Sequence, residues 1–266
     1  VNAVSAIAQH SGAIAWRNLV GLRRTPGAIF ASVLQPIMFV FLLGYVFGGS
    51  LGGEAYREFI MAGIFAQTVT FNAAFTTIGF ANDLQKGIVD RFRSLPMSRV
   101  GVILGRTSSD LVTSMISLLV TSLCGLAMGW RIRSSVLDAV AGYLLILLFA
   151  FAMSWVGAYI GLVSRSVEVA QSLGLIWLFP ATFISSGFVS VVAMPEPLAT
   201  IAEWNPITAL AGAARILFGN PAVPGLPQPD GWPAQHAVGY SLLCSLVIIA
   251  IFMTLSVARY RKATAR

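Results

Sequence analysis

Val140 to Leu162 reads VAGYLLILLFAFAMSWVGAYIGL, twenty-three residues without a charge. A hydrocarbon core of about 30 Å takes about 20 apolar residues in helical form, so this stretch is long enough to cross a membrane. In lipid the backbone must satisfy its own donors and acceptors, and the alternating pattern of a membrane barrel is missing. The stretch is therefore read as a helix. Five further uncharged runs of that kind lie on either side of it, Ala28 to Phe47, Phe59 to Phe80, Leu111 to Gly129, Val169 to Val189 and Ala237 to Ala258. The expected fold class is all-α: a polytopic integral membrane protein with six transmembrane helices. Composition agrees, with 57% hydrophobic residues, 10% charged residues and a mean hydropathy of +0.81. These values lie far from those of a soluble globular domain. No internal repeat or shift of composition divides the chain, so residues 1–266 are read as one transmembrane domain.

Orientation follows from the placing of Lys and Arg, which are enriched in cytoplasmic loops. Of the 17 basic residues, Arg57, Arg131, Arg133 and Arg215 fall on one side and the remaining 13 on the other. Both termini are expected on the basic, cytoplasmic side. The formal net charge of +7 does not point to nucleic acid, because the arginines are scattered between apolar runs and form no basic face. Membrane lipids are the better partner.

Three segments are not ordinary spans. Residues 1–27 carry Ile7, Ile14, Leu19 and Val20 with Trp16, Arg17, Arg23 and Arg24 between them, and are read as an amphipathic interfacial helix. Residues 81–110 form a basic cytoplasmic loop. In it Asn82 or Asp83 can cap a short helix, Lys86 and Asp90 stand four apart, and Pro96 stops the helix near Leu95. Phe92 and Leu95 would share a face beside Arg91 and Arg93, an exposed apolar pair with the character of an interface. Residues 190–236 hold eight of the twelve prolines, which rules out a continuous span. Leu198 to Ala202 and Ile207 to Phe218 are still apolar, so short re-entrant helices are expected there. Arg215 in this segment needs a partner or a route to the interface. A hairpin turning at Asn205-Pro206 would bring Glu203 to it.

The sequence lacks the chemistry of an enzyme. It contains no Gly-x-x-x-x-Gly-Lys-Ser/Thr loop, no His-Glu-x-x-His, no Gly-x-Ser-x-Gly and no intramembrane pair of aspartates. Cys124 and Cys244 lie within apolar runs, and His10 and His236 lack neighbours at ligand spacing, so no catalytic residue and no metal site is expected. No Asp, Glu or His is placed inside an expected span, where an ion-driven transporter would carry one. The energy source is expected outside this chain.

Two stretches carry a resemblance. One is Asn82-Asp83, Gly87 and Asp90-Arg91-Phe92-Arg93-Ser94-Leu95-Pro96-Met97-Ser98-Arg99, followed by Gly105-Arg106 and Asp110. The other is Asn205-Pro206 with Arg215 and Gly219 downstream. With six spans and a proline-rich segment before the last, the chain resembles permease subunits of type-2 ABC transporters, in the daunorubicin-resistance-like branch. The resemblance implies a bacterial plasma-membrane exporter of two permeases, identical or related, and two ABC ATPase subunits. ATP and Mg would be bound by the ATPase, with no cofactor in this chain. It also implies that Asp83, Asp90, Arg91, Phe92, Arg93, Leu95, Pro96 and Arg99 belong to a coupling helix on the ATPase. Glu203, Asn205, Pro206 and Arg215 would belong to the outer re-entrant structure. The expected cargo is hydrophobic or amphipathic (a drug, natural product or lipid), with Phe39, Tyr45, Thr68, Asn72, Phe75, Phe179 and Phe183 as candidates to line its path. A permease for lipid-linked polysaccharide, a cofactor-free membrane enzyme and a passive scaffold are the alternatives.

Overall fold

The computed structural model describes residues 11–12, 14–18, 20, 26–47, 53–88, 99–220 and 229–263. All regular structure among them is helical. We label α1 Pro26–Phe41, α2 Gly53–Gln85, α3 Arg99–Ala127, α4 Val136–Val163, α5 Val167–Phe183, α6 Glu196–Glu203, α7 Pro206–Phe218, α8 Trp232–Gln235 and α9 Ala237–Ala263. A π-helical turn, Leu42–Phe47, continues α1. Residues 11–12, 14–18 and 20 are also helical.

The helices α2, α3, α4 and α9 are long and apolar enough to cross a membrane. The first and fifth expected spans are shorter apolar helices, α1 with 16 residues and α5 with 17. The largest departure from the sequence reading is at α3. It begins at Arg99 rather than Leu111 and so takes Arg106 and Asp110 into its length.

Local chemistry accounts for the ends and irregularities. Ser135 caps α4 by accepting from Asp138 N at 3.1 Å while its hydroxyl donates to the Asp138 carboxylate at 2.7 Å. Asn205 caps α7, Pro206 follows at the first helical position, and Gly219 closes the helix in the left-handed region at φ 69°. Pro36 within α1 has no N–H for the Ser32 carbonyl one turn earlier. That carbonyl accepts instead from the Ser117 hydroxyl of α3 at 3.2 Å.

At the centre is α2, which touches α1, α3, α4, α5 and α7 and is buried without a break from Glu58 to Ala73. Its closest neighbour is α4, where Gly157 and Gly161 lie against the backbone of α2. A Cβ on Gly157 would come to 2.4 Å from Ala73 O, and one on Gly161 to 2.5 Å from Thr77 O. Small residues four apart allow this approach in a membrane, where packing rather than water expulsion holds helices together.

The core has two parts, one at each end. The larger gathers Phe65, Trp130, Phe149 and Phe218 with residues of α2, α4 and α7. The smaller joins Ile14, Phe80, Val102, Ile103, Trp155, Leu162 and Tyr260. Chain direction and these contacts place the described N-terminal helical residues, the end of α2, the start of α3 and the ends of α4 and α9 together. We call this the Asp83 end and its opposite the α7 end.

Candidate functional site

At the α7 end the chain leaves helical geometry after Phe183, and the freed backbone groups are met by side chains. Pro180 O keeps its helical bond from Ile184 N at 2.9 Å, and the next two carbonyls of α5 are satisfied by side chains, Ala181 O by Asn205 Nδ2 at 2.7 Å and Thr182 O by the Ser185 hydroxyl at 2.5 Å. Asn205 Nδ2 also donates to Ile184 O at 2.6 Å, while its Oδ1 accepts from Ile207 N at 2.9 Å. One side chain thus caps α7 and closes α5. Thr208 accepts from Ser186 N at 2.9 Å.

Arg215 completes the clamp. Its Nη2 donates to Ser186 O at 2.6 Å and Gly187 O at 3.3 Å, Nη1 to the Ser186 hydroxyl at 3.3 Å, and Nε to Phe59 O at 3.2 Å. The guanidinium lies 3.7 Å over the Phe59 ring. The expected pairing with Glu203 is not made. Glu203 turns against Gly231, and carbonyl dipoles of the α5 break take the place of a carboxylate. The geometry rests on Gly63 and Gly187, since a Cβ on Gly63 would come within 1.9 Å of Gly187 O.

Around the clamp, buried Glu58 accepts from Arg133 at 2.5 Å, Arg57 donates to Met128 O at 3.3 Å, and Trp130 donates to Asn220 at 2.7 Å. Further out, Trp204, Trp232 and Tyr240 cluster, and the Tyr240 hydroxyl donates to Trp204 O at 2.9 Å.

At the Asp83 end, α2 and α3 run antiparallel and are joined by polar pairs. Asn72 donates to Ser114 at 3.2 Å, Thr76 to Asp110 at 2.8 Å, and Arg106 to Asp83 at 3.0 Å. The α2 members recur at helical spacing on one face. Helical residues near the N-terminus join them, with Arg17 at 3.9 Å from Asp83 and Asn18 donating to Ser109 at 3.3 Å. Of the expected coupling residues, Asp83 sits in this network and Arg99 begins α3. Asp90, Arg91, Phe92, Arg93, Leu95 and Pro96 lie outside the described residues.

The candidate lining residues fall into two groups. Thr68 and Asn72 are buried inside the helix bundle. Phe39, Phe179 and Phe183 belong to a run of ring contacts that passes from Phe71 through Phe179, Phe183 and Phe188 to Phe39. Phe179, Phe183 and Tyr45 are exposed on the surface of this chain, whereas Phe75 is half-buried.

Sequence reasoning missed Ser186, Gly187, Thr208 and Gly63. A signal was present in the spacing of Asn205, Thr208 and Arg215, which fall on one helix face once α7 is allowed to start at Pro206.

The pattern of the ABC-2 type transporter family matches residues 9–218. A daunorubicin resistance ABC transporter permease of Streptomyces coeruleorubidus is 30% identical over 265 residues, covering 99% of this chain and 88% of the relative. A doxorubicin resistance ABC transporter permease of Mycobacterium tuberculosis is 24% identical over 245 residues, with coverage of 88% and 83%. A putative transport permease of Porphyra purpurea is 22% identical over 220 residues, with coverage of 80% and 75%.

Proposed function

The chain belongs to the ABC-2 type transporter family, and from that premise we propose that it is the permease subunit of an ATP-driven exporter of hydrophobic or amphipathic molecules. The observation that carries this reading is similarity along almost the whole chain to permeases named for daunorubicin and doxorubicin resistance. We read the protein as a multi-pass protein of a bacterial plasma membrane, with the Asp83 end and both termini in the cytoplasm. Basic residues favour that end, where Arg17, Lys86, Arg106, Arg165, Arg259 and Arg261 are carried. In this reading α1 and α5 complete a set of six spans, residues 1–27 lie on the inner leaflet, and residues 190–236 close the outer side.

Hydrolysis of ATP with Mg belongs to two copies of a partner ABC ATPase. The stretch Asp83 to Arg99 docks on it, with Phe92 and Leu95 as apolar anchors and Arg91 and Arg93 at the rim. Cargo moves between two permease subunits along an apolar, aromatic wall, for which the exposed Phe179 and Phe183 are the best placed candidates.

The test purifies the permease with a cognate ABC ATPase and compares complex formation and cargo-stimulated hydrolysis for Phe92→Ala, Leu95→Ala, Arg93→Ala and a Thr264→Ala control. Apolar anchors commonly cost about 2 kcal/mol or more on truncation, and rim charges less. Phe92→Ala and Leu95→Ala should therefore lose coupling, Arg93→Ala less so, with every variant still inserted in the membrane. Unchanged assembly and stimulation in both anchor variants would refute the docking.

A further inference from the structure

Arg106 stands between two carboxylates that belong to different helices. Its Nη1 bonds Asp83 of α2 at 3.0 Å, while its Nε, buried and without a hydrogen bond, faces Asp110 of its own helix at 3.8 Å. Asp110 is held in place by the Thr76 hydroxyl, and Arg17 attends Asp83 from the other side. We propose that Arg106 is a two-position ionic latch, bound to Asp83 when the ends of α2 and α3 are drawn together and to Asp110 when they part.

The reason is electrostatic. A partly buried guanidinium that loses its only partner is strongly destabilising, so a simple ion pair between two helix ends resists opening. Here a second carboxylate waits one helical turn deeper. A shift of the cation by about 1 Å brings Nε into bonding range of Asp110, since a charge-assisted N–H···O bond spans roughly 2.7–2.9 Å. Opening then exchanges one bond for another at Arg106, and Arg17 remains beside Asp83. The latch sits where α2 and α3 approach the chain that connects them, and Asn18 and Arg17 tie the N-terminal helical residues to the same point.

Gly79 leaves room for the closed position. A Cβ there would stand 1.8 Å from Arg106 Nη2. Gly79→Ala therefore pushes the guanidinium off Asp83 while every charge remains. In the proposed exporter Arg106 is a positioning residue for coupling; this role, unlike the latch itself, rests on the proposed function.

The test is hydrogen–deuterium exchange on the full-length permease alone in lipid nanodiscs, read at residues 81–88 and 99–110, with α4 as the reference for an intact fold. Asp83→Asn should raise exchange at both helix ends by about fivefold or more, as loss of one net hydrogen bond implies. Gly79→Ala should do the same. Asp110→Asn removes the competing partner and should lower exchange below wild type. A merely structural cluster would respond to both aspartate variants in the same direction. That outcome, or no change in any of the three variants, would overturn the latch. Export with a cognate ATPase forms a separate arm. If wild type does not export, the proposed function falls and the exchange contrast still decides the latch. If wild type exports and Asp110→Asn exports equally well, the coupling role of Arg106 is overturned.

Discussion

Arg215 is held by three carbonyls, a hydroxyl and an aromatic face, and this arrangement uses the forked geometry of a guanidinium in a way lysine cannot reproduce. Both Arg215→Ala and Arg215→Lys should destabilise the protein by about 2 kcal/mol or more, because buried acceptors left without donors cost about 1–3 kcal/mol. Thermal unfolding in detergent measures this. Two variants within about 0.5 kcal/mol of wild type, the range of ordinary surface changes, would contradict the clamp. Asn205 gives a sharper comparison, since Asn205→Asp keeps the cap on Ile207 N but turns a carboxylate toward Ala181 O and Ile184 O. It should destabilise at least as much as Asn205→Ala, whereas a residue that only caps would tolerate Asp. The sequence marked Asn205, Pro206 and Arg215 as structural, because an Asn-Pro pair and a charge in an apolar stretch are visible in one dimension. It pointed Arg215 at Glu203 because carboxylates are the partners that can be counted in a sequence. Carbonyls freed by a helix break cannot be counted until the break is located.

The elements obey the same distinction. The four long apolar helices were legible from uncharged runs, and α4 and α9 lie within a few residues of expectation. Arg106 and Asp110 obscured the start of α3, since polar residues in a single helix read as loop. Only the facing residues Thr76 and Asp83 on α2 show how they are accommodated. The contact between α2 and α4 makes a prediction at this scale. Gly157→Leu and Gly161→Leu place side chains where the α2 backbone lies, and each should destabilise by about 1–3 kcal/mol or more, as overpacking does. The same change at Gly239, where a Cβ meets nothing within 4 Å, serves as the comparison and should be close to neutral. Trp204 and Trp232 make another. Both are exposed, and both are tied to the first turns of α9, so they are expected at headgroup depth. Tryptophan emission in vesicles of brominated phosphatidylcholine should be quenched, and Trp204→Phe with Trp232→Phe should remove a distinct part of the quenched signal. An unchanged quenched fraction in the double variant would place the cluster away from lipid.

At the scale of the whole molecule the chain has two unlike ends. One holds a side-chain clamp around the break after α5, and the other joins α2, α3 and the N-terminal helical residues through charges. The long apolar helices between them belong to a membrane permease of the ABC-2 type family, and in the proposed exporter the motor is a separate ABC ATPase. The most direct measurement of the proposed export is ATP-dependent uptake of an amphipathic aromatic drug into inside-out vesicles that contain the permease and a cognate ABC ATPase. Uptake should require both proteins and hydrolysable ATP, and should vanish when the ATPase is made hydrolysis-defective. Uptake by the permease alone, or uptake that survives the defective ATPase, would contradict it.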